Sequence, residues 1–510
     1  MRQKVYIVSQ VKRQTVYLLS QRPRFGARNG AGDAMKPGDV AQRLTTGNPW
    51  WRDPTEWVAR DVQLRAAATA GFTYEPNTLS SVPHGALVLL RGPRRVGKSV
   101  ELKRFAEATL AGGAAPRAVI HAAVDGWRAS DLRSLVEVGK RMTPAACDHR
   151  WWLIDEVSSV AGWEAEIKNL RDNDPEFSTD TVVLTGSSAR DLTRATSNLA
   201  GRRGPVTRPD RTLLPMGFRS FADVMLRSRG QAGPDTPRVP PMELRSPAAA
   251  TVFDALLPWE NELTAWWEVY LQVGGFPQAV AAHVRGDDLG PVVQALFDVV
   301  QRDAFGAADL SEPQAGALLA RLSENLSSPV NVTTIAHDVG VSSDTAARRL
   351  NDLVAAYVLW PCHVADNLRP KLGAQAKRYF IDPLHARLAH ERNASHASPD
   401  NTQLTEQQLG VALLRATEST SPGGHASFDR VLYERTPTRK EIDFVGPGLS
   451  PVAIEGKYTD TGTWVGESAT VNASPYAGVL ATRSVLDTSA TTSDRAWAVP
   501  AAFLAYTVDT

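Results

Sequence analysis

The chain has 510 residues, of which 43% are hydrophobic and 22% charged, a composition typical of a folded protein with about two to four cores. Its formal net charge of +1 excludes a polycation that binds nucleic acid through bulk charge. The two cysteines, Cys147 and Cys362, lie far apart in sequence, which favours a reducing compartment and argues against a structural zinc site. No apolar stretch approaches the roughly 18 to 20 residues of a membrane span, so we expect a cytoplasmic protein without a membrane partner.

The first part of the chain carries few signs of regular structure. Apolar runs before residue 20 are too short for a secretory signal, and residues 21–33 are rich in Gly and Arg, which indicates a linker. We predict an N-terminal extension over residues 1–47, whose first 34 residues are poorly ordered or belong to an overlong start assignment. Trp50, Trp51 and Trp57 follow it, and we expect these aromatic side chains to anchor the segment on the next domain.

Residues 87–99 are the most informative stretch of the sequence. An apolar run at 87–90 predicts a buried strand, Gly-Pro-Arg-Arg-Val-Gly-Lys-Ser follows it, and a helical pattern comes next. Glycines at the two ends of the loop let successive N–H groups face one concavity, which forms a cradle for phosphates. Lys98 then reaches the outer phosphates of ATP and Ser99 offers a hydroxyl to Mg²⁺. A chance Gly-containing turn is the alternative, and the strand and helix on either side disfavour it.

Two later strands are predicted to end beside this loop. The continuous apolar run at 151–154 is typical of a strand buried on both faces of a parallel sheet, and it ends in Asp155 and Glu156. We expect Asp155 to hold Mg²⁺ with Ser99, and Glu156 to prepare the attacking water. A further apolar run at 181–184 ends in Thr-Gly-Ser-Ser. There Ser187 is a candidate sensor of the γ-phosphate, and a turn in which Ser188 caps the next helix is the alternative.

The predicted nucleotide site is therefore a set of loop and strand-end residues. The residues predicted to bind nucleotide or metal are Gly92, Pro93, Arg94, Arg95, Val96, Gly97, Lys98, Ser99, Val100, Asp155 and Ser187. The candidate catalytic residues are Lys98, Glu156 and Arg202. Arg202 lies in a tight Gly-Arg-Arg-Gly loop, where it either neutralises charge in a neighbouring subunit of an oligomer or is merely solvated.

Residues 318–381 change to the pattern of a winged helix. Helical runs at 318–326, 332–339 and 342–354 surround a Gly-Val turn, with Ser342 or Ser343 as the N-cap of the last helix. We expect Arg348 and Arg349 on its exposed face, and the apolar runs at 357–360 and 377–381 as strands of a wing. Winged helices also dock proteins, so DNA and a protein partner both stay open.

The C-terminal part contains two runs, 439–445 and 452–458, that alternate polar and apolar residues. As adjacent strands they would bring Asp443, Glu455 and Lys457 together, where carboxylates bind Mg²⁺ and a lysine activates water for attack on a phosphodiester. This Asp-x₁₁-Glu-x-Lys spacing resembles the PD-(D/E)xK nuclease core, with Glu406 on the preceding helix as a further candidate ligand. Alternating strands also supply Glu-x-Lys by chance, and such cores persist as inactive binding folds.

Several dispersed motifs together resemble those of prokaryotic AAA-superfamily ATPases that carry a C-terminal domain of unknown function. Besides the loop at 92–99 they are residues 153–156 with Trp163 and 167–170, residues 184–188, residues 201–202, Leu-Pro-Met-Gly-Phe-Arg at 214–219 and Tyr-Leu-Gln-Val-Gly-Gly-Phe-Pro at 270–277. The resemblance runs from about Asn48 to the end of the chain. It implies an ATPase module, a winged-helix segment and, in many members, a restriction-endonuclease-like fold, and it says little about the substrate.

These predictions combine into one α/β architecture. A P-loop parallel sheet of the AAA/ASCE type is followed by a winged-helix segment and an α/β restriction-endonuclease-like domain. The predicted boundaries are 1–47 for the extension, 48–230 for the ATPase domain, 231–315 for a linker and helical region, 316–385 for the winged helix and 386–510 for the last domain. The predicted function is Mg²⁺-dependent ATP hydrolysis coupled to action on DNA or a protein partner. An ATP-gated, metal-dependent DNA nuclease and a non-catalytic nucleotide sensor or scaffold are the alternatives.

Overall fold

An arm of short helices precedes the first strand of the protein. The computed structural model describes residues 35–187, 195, 198–305, 310–419, 428–436, 438–460, 462, 464–491 and 495–509. The predictions for the first 34 residues and for Ser188 lie outside these ranges. The helices of the arm are α1 (Pro37–Gly47), α2 (Trp57–Arg60) and α3 (Val62–Ala68). Helix α1 occupies the last part of the predicted extension.

Polar and aromatic side chains attach the arm to the protein. The Asn48 amide donates to the carbonyl of His121 at 2.8 Å and accepts the N–H of the same residue at 2.6 Å. The indole N–H groups of Trp50 and Trp51 both donate to the Val119 carbonyl, at 2.9 and 3.0 Å. These tryptophans therefore anchor the segment by packing and hydrogen bonding, as predicted.

Five parallel strands form the first sheet, in the order β2-β3-β4-β1-β5. They are β1 (Leu87–Arg91), β2 (Val119–Ala123), β3 (Trp151–Asp155), β4 (Thr181–Gly186) and β5 (Asp210–Thr212). The helices that follow β1 to β3 are α4 (Lys98–Ala111), α5 (Ala129–Met142), α6 (Trp163–Asn173) and α7 (Pro175–Thr179). The central strands are buried on both faces, as their unbroken apolar runs predicted. Because β4 lies between β1 and β3, the segments that follow these three strands meet at one edge of the sheet.

Helices dominate the middle of the chain. The first group is α8 (Phe218–Ser228), α9 (Pro247–Leu256), α10 (Glu260–Val273), α11 (Pro277–Arg285) and α12 (Gly290–Val300), which continues into a π-turn over Gln301–Phe305. The second group is α13 (Glu312–Glu324), α14 (Val332–Val339), α15 (Ser343–Ala355) and α16 (Pro383–Arg392). Between α15 and α16 lie two antiparallel pairs, β6 (Leu359–Cys362) with β9 (Lys377–Phe380) and β7 (Ala365–Asp366) with β8 (Arg369–Pro370).

Helix α15 corrects one prediction for the winged-helix region. Ser342 caps it by accepting the Thr345 N–H at 3.1 Å, and Arg348 is exposed, as expected. Arg349 was expected on the exposed face and is buried instead. Its guanidinium donates to Asp352 at 2.6 Å and to the Ala304 carbonyl of the π-turn at 3.3 Å. The packing of the π-turn against α15 turns a predicted surface position into an interior one.

A second sheet of five strands forms the C-terminal part. After the long helix α17 (Asn401–Ser419) come β10 (Leu432–Arg435), β11 (Glu441–Val445), β12 (Val452–Gly456), α18 (Trp464–Glu467), α19 (Ala469–Asn472), β13 (Ala477–Thr482), β14 (Trp497–Pro500) and α20 (Ala501–Val508). The strands follow one another in sequence order across the sheet. The pairs β10-β11 and β11-β12 are antiparallel, whereas β12-β13 and β13-β14 are parallel.

Two of the motifs that carry the resemblance, residues 214–219 and 270–277, contact each other, and we call this contact the joint. Gly275 accepts the Met216 N–H at 2.8 Å and donates its own N–H to the Asp382 carboxylate at 2.7 Å. A Cβ at Gly275 would lie 2.0 Å from the Met216 carbonyl oxygen, so only glycine fits. Arg415 of α17 adds an ion pair with Asp509 beside this joint. The motifs thus connect the first sheet to the parts that follow it, and residues 37–510 form one unit.

No helix in the described ranges is both long and apolar enough to cross a lipid bilayer.

The arm yields a test of stability. We expect Asn48→Ala to lower the stability of the first unfolding transition by about 2–4 kcal/mol, because it leaves the N–H and the carbonyl of buried His121 without these partners. Differential scanning calorimetry measures the effect. Thr46→Ala, at the exposed end of α1, is the matched control and should change little. Equal melting of the two variants would contradict the role given to Asn48.

Candidate functional site

The loop after β1 has the shape that its glycines predicted. Gly92 has a φ of +146° and Gly97 a φ of +102°, and both values favour glycine. A Cβ at Gly92 would also lie 1.9 Å from the Leu213 carbonyl oxygen, whereas one at Gly97 would meet no atom within 4 Å. Gly97 ends the loop and begins α4, so the backbone N–H groups of the first turn face the concavity.

The Lys98 side chain folds back against this loop and is shielded from solvent. It is only 5% exposed, and its ammonium donates to the carbonyls of Gly92 and Pro93, both at 2.9 Å. Burial lowers the pKa of Lys98, and the negative charges of Glu156 and Asp155 oppose that shift. The lysine and the two acids therefore lie close enough for their charges to interact.

Thr185 at the end of β4 holds the two acids in place. Its hydroxyl donates to Asp155 Oδ1 at 2.5 Å and accepts the backbone N–H of Glu156 at 2.9 Å. Glu156 adopts a left-handed conformation with a φ of +59°, which turns its side chain away from the strand direction. The Ser187 hydroxyl then donates to Glu156 Oε2 at 3.2 Å. Sequence reasoning selected Ser187 and missed Thr185, although Thr185 stands in the same Thr-Gly-Ser-Ser motif.

The two arginines of the loop contact the helical region. Arg94 Nε lies 2.6 Å from Asp303 Oδ2 in the π-turn, and its Nη1 lies 3.9 Å from Glu156 Oε1. Arg95 donates to the Gln278 side chain of α11 at 3.0 Å. No sequence pattern connects Asp303 with the loop, because the contact joins segments about 200 residues apart in the chain.

Ser99, Val96 and Val100 complete the predicted loop site. Val96 is buried, whereas Ser99 and Val100 are half-buried in the first turn of α4. The Ser99 hydroxyl and the Asp155 carboxylate are hard oxygen donors of the kind that Mg²⁺ takes. The residues present therefore fit a magnesium ion bound together with phosphates.

Arg202 lies away from this site within its own chain. Its guanidinium pairs with both carboxylate oxygens of Asp172, at 2.5 and 2.9 Å. The neighbouring Arg203 carbonyl accepts the N–H of Leu87, the first residue of β1, so this loop lies at the opposite end of the strand from residues 92–99. The structure does not bring Arg202 to the other predicted catalytic residues.

A second cluster contains the four residues predicted for a nuclease site. Glu406 on α17 and Asp443 on β11 come together around a lysine that the sequence analysis missed, Lys377 of β9. Glu455 on β12 pairs instead with Lys457, Oε1 to Nζ at 2.9 Å. The four predicted residues thus lie in one region of the C-terminal part: Glu406 and Asp443 both pair with Lys377, and Glu455 pairs with Lys457.

The carboxylates and the lysine of this cluster shift one another's pKa values through their charges. Burial raises the pKa of Glu406 to about 7, and the neighbouring Asp443 charge acts in the same direction. Burial alone would lower the pKa of Lys377, but Asp443 and Glu406 outweigh it and raise that pKa well above its ordinary value. Lys377 therefore stays charged across the physiological pH range. Tyr379 donates its hydroxyl to Glu406 Oε1 at 2.5 Å.

Comparison with known proteins finds a family model that matches the segment containing the first of these sites. Residues 84–222 match the family model of an AAA domain, which spans β1 to β5 and the loop at 92–99. Residues 84–222 are therefore similar to an AAA domain, and this segment is called the AAA domain below. Residues 264–389 match a second family model, a domain of unknown function (DUF8612), which crosses the predicted boundary at 315/316. The AAA domain holds Lys98, Asp155 and Glu156, and the second family includes Asp303 and Lys377.

Individual relatives are distant. An uncharacterized protein of Haemophilus influenzae is 23% identical over 370 residues, which cover 70% of this chain and 78% of that protein. A Walker-type ATPase of Pyrococcus abyssi is 14% identical, with 62% of this chain and 93% of that chain covered and a TM-score of 0.34. The ORC2 protein of Aeropyrum pernix in its ADP form is 14% identical, with 73% and 97% covered and a TM-score of 0.31.

The glycines of the AAA domain yield a matched test. We expect Gly92→Ala to destabilise the AAA domain by about 3 kcal/mol or more, because its Cβ collides with the Leu213 carbonyl and its φ is strained. Gly97→Ala has open space and should cost only the backbone strain, about 1–2 kcal/mol. Chemical denaturation monitored by tryptophan fluorescence ranks the variants. Gly316→Ala in α13, which has open space in a helix, is the control and should be neutral or stabilising. A ranking in which Gly97→Ala is the worst would refute this account of the loop.

Proposed function

We propose that the AAA domain binds ATP with Mg²⁺ and hydrolyses it, and that the nucleotide state is passed to the helix-turn-helix that follows. The observation that carries this proposal is the joint placement of Lys98, Asp155 and Glu156 at one edge of the sheet. The Glu156 side chain accepts a hydrogen bond from the neutral Ser187 hydroxyl, and the Arg94 guanidinium lies 3.9 Å from its other oxygen, beyond hydrogen-bond distance.

Each residue has a distinct task in the proposed reaction. The loop N–H groups and Lys98 bind the β- and γ-phosphates, and Ser99 and Asp155 would hold Mg²⁺, which supplies positive charge next to the phosphates. Glu156 accepts a proton from the water that attacks the γ-phosphorus, and the bond from that phosphorus to the bridging oxygen breaks to leave ADP and inorganic phosphate. Thr185 and Ser187 act as positioning residues because they fix the backbone and one oxygen of Glu156.

Arg94 connects the nucleotide site to the rest of the chain. Its guanidinium is shared between Glu156 and Asp303, so a bound triphosphate competes with Asp303 for the same cation. Asp303 is followed directly by Ala304, whose carbonyl accepts from Arg349 in α15. Two contacts therefore lead from the phosphate loop to the second helix of the helix-turn-helix. We infer that displacement of Asp303 by ATP shifts α15.

The partner of this helix-turn-helix is DNA or a protein. The order α14, turn, α15 and the two antiparallel strand pairs support a winged helix, and Arg348, Arg369 and Lys371 are exposed on it. Phosphate release measured with and without single- and double-stranded DNA distinguishes the two partner classes. A contribution of Arg202 to hydrolysis requires a neighbouring subunit, since Arg202 lies at the far end of β1 in its own chain.

The nuclease alternative has mixed support. The element order of the C-terminal part, a helix, three antiparallel strands, short helices and a parallel strand, is that expected for a restriction-endonuclease-like fold. The predicted metal ligands do not fit a metal ion, however, because a lysine ammonium lies between Glu406 and Asp443. We therefore do not adopt DNA cleavage as the function.

The catalytic proposal predicts a separation of binding from turnover. We expect Glu156→Gln to lower kcat for ATP hydrolysis by about 10²-fold or more while ATP still binds, because the general base is lost and the phosphate contacts remain. Lys98→Met should weaken ATP binding itself. A coupled assay of phosphate release and titration with a fluorescent ATP analogue measure both. Glu107→Gln on the exposed face of α4 is the control. Absence of turnover in the wild type would leave the nucleotide sensor or scaffold in its place.

The coupling proposal predicts a gain in affinity. We expect Asp303→Asn to lower the Kd for ATP by about 2- to 10-fold, because a carboxylate that competes for Arg94 is removed. Asp298→Asn, one turn earlier in α12 and bound to Gln294, is the matched control and should leave the Kd unchanged. Unchanged or weaker ATP binding in Asp303→Asn would show that Asp303 does not compete with the nucleotide.

A further inference from the structure

Lys377 enters the carboxylate cluster from another part of the chain. It is the first residue of β9, which pairs with β6, whereas Glu406 and Asp443 lie on α17 and β11. Its side chain is only 1% exposed. An ammonium removed from water at this depth must find acceptors within the protein, so its contacts define what the cluster binds.

Three carboxylates surround this ammonium. Nζ donates to Glu406 Oε1 at 3.0 Å and to Asp443 Oδ1 at 2.9 Å, and it forms a longer ion pair with Glu441 Oε2 at 3.5 Å. Tyr379 stands two residues further along β9, on the same face of the strand, and donates to Glu406 as well. Strand β9 thus presents a cation and a hydroxyl to α17 and β11.

A divalent cation cannot share this position. Mg²⁺ binds carboxylate oxygens at about 2.0–2.1 Å, so an ion held by Glu406 and Asp443 would displace the ammonium between them or meet its like charge at contact distance. Glu455 does not supply a replacement set, because its Oε1 is paired with Lys457. Among the described residues, no group of three or more His, Cys, Asp or Glu side chains is arranged to hold a metal ion.

We propose that Lys377 is the resident cation of this cluster and keeps Glu406, Asp443 and Glu455 closed to divalent metal in the wild-type protein. Without the ammonium, Glu406 and Asp443 would be buried carboxylates lacking a counter-charge, which is a costly state that a metal ion relieves. Glu455 is 2% exposed, and its Oε2 has no hydrogen-bond partner among the described residues. It lines a cavity of about 490 Å³ together with Asp443 and Lys377, so an ion could reach the carboxylates from this side. This latent metal site is independent of the proposed ATP hydrolysis.

Mn²⁺ binding to the full-length, nucleotide-free protein tests the proposal. We expect no Mn²⁺ uptake by the wild type at this cluster, measured by the electron paramagnetic resonance signal of free Mn²⁺. Lys377→Met, which keeps the length of the side chain and removes its charge, should bind about one Mn²⁺ per chain, because the ammonium occupies a single cation position between the carboxylates. Adding Asp443→Asn should abolish that binding. Lys440→Met, which removes an exposed lysine of the same cavity, is the matched control and should behave like the wild type.

Thermal unfolding provides a second readout. Saturating Mn²⁺ should raise the Tm of Lys377→Met by about 4 °C and leave the Tm of the wild type unchanged. Lys377→Gln, which keeps an N–H donor for Glu406, replaces Lys377→Met if that variant does not fold. Two results overturn the proposal: Mn²⁺ binding by the wild type that Asp443→Asn removes, or a folded Lys377→Met that binds no Mn²⁺. The wild-type titration decides the first without any need for the lysine variants to fold.

Discussion

The position of β4 between β1 and β3 is the constraint on which the nucleotide site depends. It places β1 and β3 two inter-strand spacings apart, about 9.6 Å, and the strand between them ends in residues that carry hydroxyl groups. Thr185 can therefore contact Asp155 and the backbone of Glu156 at once. If β3 lay directly beside β1, no intervening strand would supply these hydroxyls, and only water would orient the two carboxylates.

Buried polar contacts also decide how the parts of the chain are joined. Asp382 accepts N–H groups at the start of α16 and from Gly275, Arg415 pairs with Asp509, and Lys377 links β9 to α17. A buried charge that loses its partner is far more costly than a lost apolar contact. We therefore expect a relative movement of these parts to break partly exposed contacts, such as the one between Arg94 and Asp303, and to leave the buried contacts intact. This distribution agrees with the proposed route from the loop to α15.

Local patterns predicted most of the secondary structure and the core of the AAA domain. Unbroken apolar runs placed β1, β3 and β4, and a glycine-bent loop followed by a helix placed Lys98 and Ser99. What the sequence could not show were partners that depend on packing between distant segments. Asp303 reaches Arg94 only through the folding of the π-turn onto the phosphate loop, and Lys377 reaches Glu406 only because β9 lies against α17. Arg349 was misplaced for the same reason, since helical periodicity does not tell which neighbour covers a face.

The N-terminal arm also affects whether two copies of the chain can associate through their sheets. Strand β2 is an outer strand, and the backbone groups along its free side are a template on which another protein could build a strand. Alternate residues of such a strand point their N–H and carbonyl groups outward. On β2 the arm binds these groups: two indole N–H groups donate to the Val119 carbonyl, and the Asn48 amide binds the carbonyl and the N–H of His121. The arm therefore protects this edge against intermolecular β-pairing. A chain shortened past Trp51 would expose an unpaired edge strand that favours association.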